Sequence, residues 1–139
     1  MASKIVSDPV RVYQYCRQFL HLPAVGGMKG LGLEKDGELV AGVIYEGFNG
    51  HNVFVHIAAE PGGNWMTKNF WDYCFFYPFI EMKVSRMTAY VEARNAQSIR
   101  FVEHLGFVPE AVLAGAASDG GDVKLYVMRR EDCRYVDTE

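Results

Sequence analysis

Residues 52–69 read NVFVHIAAEPGGNWMTKN, and most of the expected architecture follows from this segment. Its first part is apolar on both faces, which predicts a strand in the middle of a sheet. A proline and two glycines then predict a turn, and a helix is predicted over about 65–76. A second strand is predicted over 86–92, RMTAYVE. A strand, a helix and a strand in this order form a crossover, so the two strands should be parallel neighbours.

Antiparallel strands and a helix are predicted on the N-terminal side of this crossover. The Asp-Gly pair at 36–37 separates two apolar runs and favours a tight hairpin turn. Asp8 and Pro9 predict the start of a helix, with the aspartate as its cap. The apolar positions continue at helical spacing as far as Leu20, and the proline and glycines within 23–30 predict a loop.

The C-terminal part predicts a helix and two further strands. The helix is expected over 95–105, and it ends at Gly106, a residue type that commonly terminates helices. Strands are expected over 107–113 and 122–130. The expected fold is α/β, with a mixed sheet and helices on its faces, in a single domain over 1–139.

Composition argues against several classes of protein. The net charge of -3 and the pI near 5.8 argue against general nucleic-acid binding. No apolar run reaches the length of about 18 residues that a membrane helix needs, and the N-terminal segment lacks the apolar core of a signal peptide. The three cysteines are scattered without a CxxC pair. We therefore expect no metal site and a cytoplasmic location.

The turn at Gly62 and Gly63 has two interpretations. Backbone N–H groups at a helix N-terminus attract anions, and glycines let a phosphate group approach closely. Lys68 would add a positive charge in the first turn of the helix. The same residues also suit an ordinary turn between a strand and a helix, and the segment matches neither the Walker pattern nor the dinucleotide fingerprint.

Residues 94–132 read RNAQSIRFVEHLGFVPEAVLAGAASDGGDVKLYVMRRED. Within them, Asn95 and Ser98, the LGF tripeptide at 105–107 and Glu110 match an N-x-x-S…LGF…E pattern. In this pattern the sequence resembles the GCN5-related N-acetyltransferase (GNAT) superfamily. It looks most like the branch of the ribosomal-protein N-acetyltransferases and their small phage-encoded relatives.

The resemblance, which covers roughly residues 30–136, implies a GNAT-like sheet of six to seven mostly antiparallel strands. Its two middle strands would splay apart and bind acetyl-CoA, with the pantetheine arm along the first strand and the pyrophosphate on the glycine turn. At Trp65 the sequence departs from the family, which usually has a small residue there. The cofactor-binding residues implied are Ile57, Ala58, Gly62, Gly63, Asn64, Trp65, Thr67, Lys68 and Asn95.

Acetyl transfer to an amine needs a neutral amine and a proton for the departing thiolate. Relatives commonly donate that proton from a tyrosine on the last helix, and the resemblance puts Phe101 at this position. Ser98, on the same helix face as Asn95, is the expected replacement. His56 is a candidate base because imidazole titrates near neutral pH, and Glu92 is another. The alternatives are a packed histidine and a solvated charge at the sheet edge.

We therefore expect an N-acetyltransferase that moves an acetyl group from acetyl-CoA to a primary amine. The acceptor would be a protein N-terminus, a lysine or a small amine, and neither nucleic acid nor a membrane is expected as a partner. The alternative is a degenerate GNAT-fold module that serves in binding or in a virion without catalysis. The aromatic residues within 70–79 should pack in the core, and this segment is also a possible homodimer contact.

Overall fold

One mixed sheet organises the part of the chain that the structure describes. The computed structural model describes residues 3–22, 26–59 and 69–136, together with the backbone of Lys68. The strands are β1 (Ser3–Val6), β2 (Lys29–Lys35), β3 (Glu38–Glu46), β4 (Asn52–Ala59), β5 (Arg86–Glu92), β6 (Val108–Leu113) and β7 (Val123–Arg129). They lie in the order β1-β2-β3-β4-β5-β7-β6. Among these described strands only β4 and β5 pair in parallel, as the crossover predicts.

Local signals set the ends of the helices. These are α1 (Pro9–Cys16), α2 (Lys68–Phe76) and α3 (Ala96–Leu105), with a π-helical turn at Tyr77–Glu81 and a 3₁₀ turn at Arg130–Asp132. The Asp8 carboxylate accepts a hydrogen bond of 3.2 Å from the backbone N–H of Arg11 and so caps α1. Gly106 ends α3 with a φ of 112°, a conformation that favours glycine.

Three features of the N-terminal part differ from the sequence prediction. The edge strand β1 was not predicted, and it is held by antiparallel pairing to β2. Helix α1 ends at Cys16 instead of continuing to Leu20, because the backbone N–H groups of Gln18 and Phe19 bond carbonyls three residues back and not four. Gly30 lies in β2 and not in a loop. The predicted start of α2 at Trp65 lies outside the described residues.

Helix α1 packs closely on one face of the sheet because the facing strands carry glycines. Val12 and Cys16 of α1 are buried against β2 and β3. A Cβ atom at Gly42 would lie 2.8 Å from the Cys16 Sγ and 3.2 Å from a Val12 methyl carbon. Glycine within a strand permits this close approach of another element. Burial raises the pKa of the Cys16 thiol to about 12, which keeps it protonated.

The opposite face is covered by α2, the π-helical turn and α3. Phe70, Trp71, Phe75 and Phe79 are all fully buried, which confirms the predicted core packing for these four residues. Tyr73 and Tyr77 are half-buried against the same core. Phe76 is 41% exposed, so for this residue the prediction is wrong. The Trp71 and Phe101 rings meet edge to face at 5.3 Å and so join α2 to α3. The homodimer contact stays a prediction.

The three cysteines are all buried and free, and within the described residues no group of histidine, cysteine and carboxylate side chains could hold a metal ion. In the same part of the chain, no helix is both long and apolar enough to cross a membrane.

The packing of α1 on β3 predicts the effect of filling the glycine. Gly42→Ala should lower the free energy of unfolding by about 1–3 kcal/mol, because the added methyl group forces α1 away from the sheet. Denaturant unfolding followed by circular dichroism measures the loss. Gly26→Ala is the matched control, since a Cβ there meets nothing within 4 Å. Equal free energies of unfolding for the two variants would contradict the close approach of α1 to β3 at Gly42.

Candidate active site

The central parallel strands separate part of the way along their length. They pair from Asn52↔Arg86 to Val55↔Ala89. Beyond these pairs β4 continues to Ala59 and β5 to Glu92, each still bonded to its outer neighbour, β3 or β7. The inner edges of both strands therefore present main-chain polar groups to a gap, and the splay expected from the resemblance is confirmed.

A cleft of about 310 Å³ lies at this gap. Three parts of the chain build it: the diverging ends of β4 and β5, the first turns of α3, and the segment that follows α1. The side chains that carry chemistry in its wall are His21, His56, Tyr90, Glu92, Arg94, Asn95 and Ser98. The structure thus brings together the three predicted proton carriers, His56, Glu92 and Ser98, around one cavity.

Asn95 and Ser98 occupy the start of α3, where its first turn faces the cleft. The Asn95 Oδ1 accepts a hydrogen bond of 3.1 Å from the backbone N–H of Ser98 and so caps α3. This bond fixes the entry of the helix and so the place of the Ser98 hydroxyl. The further role of Asn95 in contacting a cofactor stays a prediction.

The wall of the cleft one turn after Ser98 is formed by Val102 and not by Phe101. Phe101 packs on Trp71 and lines a smaller adjoining pocket. Residues four apart share a helix face, so Ser98 and Val102 both point to the gap. The expectation that Phe101 stands where relatives donate a proton is therefore wrong for this geometry. Ser98 is still the expected replacement for the tyrosine of relatives, because α3 presents no tyrosine to the cleft.

His56 forms a pair with Glu46, a residue that the sequence analysis missed. The His56 Nε2 and the Glu46 Oε2 lie 2.5 Å apart, and the histidine side chain is only 10% exposed. The hydrogen bond from His56 lowers the pKa of Glu46, outweighing the opposing effect of partial burial. A carboxylate bonded to one ring nitrogen fixes the orientation of the imidazole, so the other ring nitrogen is held in one direction.

Glu92 is held as an ion beside the cleft. Its carboxylate accepts hydrogen bonds from the backbone N–H of Ser118 at 2.6 Å and from Arg94 at 3.1 Å. The Ser118 bond is the main reason why its pKa is lowered. The alternative of a solvated edge charge is wrong, because β5 is an interior strand and the side chain is 14% exposed. A lowered pKa makes Glu92 a weaker base and suits it to attracting a cation.

The predicted cofactor residues divide into two groups. Ile57 and Ala58 lie on β4 beyond the last pair with β5, where an extended, amide-containing chain fits the free inner edge of the strand. Asn95 faces the same cleft. The remaining residues, Gly62, Gly63, Asn64, Trp65, Thr67 and the side chain of Lys68, lie outside the described residues, and their phosphate contacts stay a prediction.

A second cavity of about 540 Å³ adjoins the cleft on the face that carries α1. The two cavities share His21, His56, Tyr90 and Glu92. His21 was given no role from the sequence, and the structure puts it at the junction of both. Its place depends on how the chain folds back after α1, so no local pattern would have revealed it.

Solved structures of the same architecture are found by comparison of folds, whereas no protein-family model and no curated protein matches the sequence. One is the spermidine/spermine N-acetyltransferase SpeG of Vibrio cholerae with manganese ions, at 12% identity and a TM-score of 0.72, with 93% of both chains covered. A mutant of the Vibrio cholerae spermidine N-acetyltransferase SpeG matches at 12% identity and a TM-score of 0.75, covering 97% of this chain and 96% of that one. At this identity the likeness shows the fold alone, which this chain shares with these solved N-acetyltransferases.

The pair of His56 and Glu46 predicts a measurable titration. The carboxyl of Glu46 should titrate below its ordinary pKa, and His56→Leu should raise that midpoint because it removes the hydrogen bond. Carboxyl carbon NMR measures both. Since the folded-state pKa is the lower one, the pair stabilises the fold at neutral pH, and this contribution is lost as the pH falls through the folded-state pKa.

His51→Leu is the matched control for this titration, since His51 is exposed in the turn before β4, whereas the histidine bonded to Glu46 is His56. It should leave the Glu46 midpoint unchanged. A parental midpoint for Glu46 in His56→Leu would show that the pair does not exist in solution.

Proposed function

We propose that this protein transfers an acetyl group from acetyl-CoA to a primary amine. The observation that carries the proposal is the gap between β4 and β5, with Ser98, His56 and Glu92 around one cleft at its mouth. Ligands of open α/β sheets bind at the carboxyl ends of parallel strands, and this cleft lies there. The likeness to solved N-acetyltransferases supports the reaction class at the level of the fold.

The free inner edge of β4 would hold the pantetheine arm. Ile57 and Ala58 supply main-chain groups beyond the last pair with β5, and an amide-containing arm satisfies them as a neighbouring strand would. Asn95 would contact the arm from the first turn of α3. The glycine turn, with Gly62, Gly63, Asn64, Trp65, Thr67 and Lys68, would bind the pyrophosphate through its backbone N–H groups.

The thioester of acetyl-CoA supplies a reactive carbonyl and a thiolate leaving group. The new bond joins the amine nitrogen to the carbonyl carbon, the carbon–sulfur bond breaks, the amine loses a proton and the sulfur gains one. His56, oriented by Glu46, is the group proposed to take the amine proton. Ser98 is proposed to hydrogen-bond the sulfur and to relay a proton from water, because α3 presents no tyrosine to the cleft.

Glu92 is proposed to attract the protonated form of the acceptor. Its carboxylate stays ionised through the Ser118 and Arg94 hydrogen bonds. A carboxylate near an ammonium group also raises the pKa of that ammonium, so deprotonation needs a nearby base. His56 lines both cavities and is available for this step.

Acetyl-CoA should raise the melting temperature of the protein. A ligand that binds only the folded state stabilises it by about 2.7 kcal/mol at a hundredfold excess over its Kd. Differential scanning fluorimetry measures the shift, and ATP, which has adenine-nucleotide phosphates but no pantetheine, is the control and should give a much smaller one. If millimolar acetyl-CoA does not change the melting temperature, the enzymatic function is excluded and the alternative of a degenerate module without catalysis remains.

Ser98→Ala should lower kcat by about a hundredfold while the affinity for acetyl-CoA stays nearly constant, because the hydroxyl acts on the leaving sulfur. Release of free thiol measures the rate once an acceptor amine has been found. Ser7→Ala is the matched control, since Ser7 is exposed between β1 and α1 and remote from the cleft in the sheet order. Parental kcat in Ser98→Ala would exclude Ser98 as the proton donor.

A further inference from the structure

The described residues cover the face of the sheet that carries α1 only in part. Helix α1 packs on β2, β3 and the adjoining part of β4. On the same face, the residues of β5 and β7 open into the second cavity of about 540 Å³. Its apolar wall, here called the trough, consists of Leu22, Phe54, Leu113, Ala116 and Leu125.

We propose that the trough holds the substituent of the acceptor, and that the preferred acceptor is a primary amine attached directly to an apolar group. This inference rests on the proposed function. Two kinds of acceptor have this chemistry: an alkylamine or arylalkylamine, and a peptide whose N-terminal residue has an apolar side chain.

The order of the strands puts the trough in line with the cleft. The strands run β4-β5-β7-β6, so Leu125 lies one strand and Leu113 two strands beyond β5. Two strand spacings are roughly 10 Å. An amine at the gap therefore directs its substituent across Tyr90, and the end of a pentyl chain lies over Leu125 on the side that faces Leu113.

The distribution of charge selects against a second ammonium group. The two carboxylates of the second cavity, Glu46 and Glu92, belong to the strands that border or adjoin the gap. Its wall on β6 and β7 is made of Leu113 and Leu125. A monoamine leaves only its apolar part there, whereas a polyamine would bring a charged nitrogen against these leucines, whose side chains offer it no hydrogen-bond acceptor. Spermidine, for which the solved neighbours are named, should thus be a poor acceptor here.

A series of unbranched amines from ethylamine to pentylamine tests the inference, because their basicity is nearly constant and only the apolar length changes. We expect kcat/KM for acetyl transfer to rise about three- to fourfold for each methylene group that enters the trough. Pentylamine should exceed cadaverine, which has the same chain and a second amine. Tripeptides that begin with leucine or glycine form the second arm and distinguish peptide acceptors from small ones.

Leu113→Ser should flatten this dependence on chain length and lower kcat/KM for pentylamine about tenfold, mainly through KM, with little effect on ethylamine. Val112→Ser is the matched control. Both residues are exposed on β6, at 38% and 58%, and they alternate in direction, so only Leu113 faces the trough. Ala116→Trp is a second variant that fills the trough from an exposed position and should penalise pentylamine more than ethylamine.

The outcomes separate the two proposals. Acetyl transfer that favours cadaverine or spermidine over pentylamine, or an unchanged chain-length dependence in both Leu113→Ser and Ala116→Trp, would overturn the inference and keep the N-acetyltransferase. Binding of acetyl-CoA without transfer to any amine or peptide would instead remove the proposed function, and this inference with it.

Discussion

The divergence of the two central parallel strands is the constraint from which the rest of the site follows. β4 and β5 share four residue pairs, from Asn52↔Arg86 to Val55↔Ala89. Pairing of β3 with β4 and of β5 with β7 continues to the strand ends, so each half of the sheet keeps its own hydrogen bonds while the gap opens. Main-chain groups along the gap need partners, and an amide-containing ligand is one that supplies them. The fold thus carries a strand-shaped binding edge in its centre.

The two faces of the sheet are built by different means, and this difference creates the acceptor side of the site. On one face, α2 and α3 bury large aromatic rings such as Trp71, Phe75 and Phe101 against the central strands. On the other, the short helix α1 approaches β2 and β3 through Gly30, Gly32 and Gly42. Eight residues are too few to cover a sheet of this width, so in the described part of the chain β5 and β7 keep an open face next to the gap.

Electrostatics near the gap serves two opposed requirements of amine acylation. Glu46 and Glu92 are both stabilised as anions, by His56 and by the Ser118 N–H respectively. Such anions favour an ammonium group, yet only the neutral amine attacks a carbonyl. Under the proposed function, the imidazole of His56 resolves this conflict, because it shares both cavities with Glu92 and is oriented by Glu46.

The sequence by itself determined what depends on neighbours along the chain. The turn at 36–37, the cap at Asn95 and the stop at Gly106 are local conformational preferences, and the crossover of β4, α2 and β5 follows from their order and apolarity. The resemblance carried by the motif around Ser98 predicted the fold. It also predicted three proton carriers, His56, Glu92 and Ser98, which line one cleft in the structure.

Only the tertiary structure decided what depends on contacts between distant segments. The bond of His56 to Glu46 joins residues ten positions apart on adjacent strands, and the edge strand β1 exists only because β2 offers it a partner. Which residue of α3 faces the cleft, Val102 and not Phe101, depends on the rotation of that helix against Trp71. The trough arises where Leu22, Phe54 and Leu125 meet from three parts of the chain. Periodicity assigns a residue to a face, whereas packing between elements decides what that face meets.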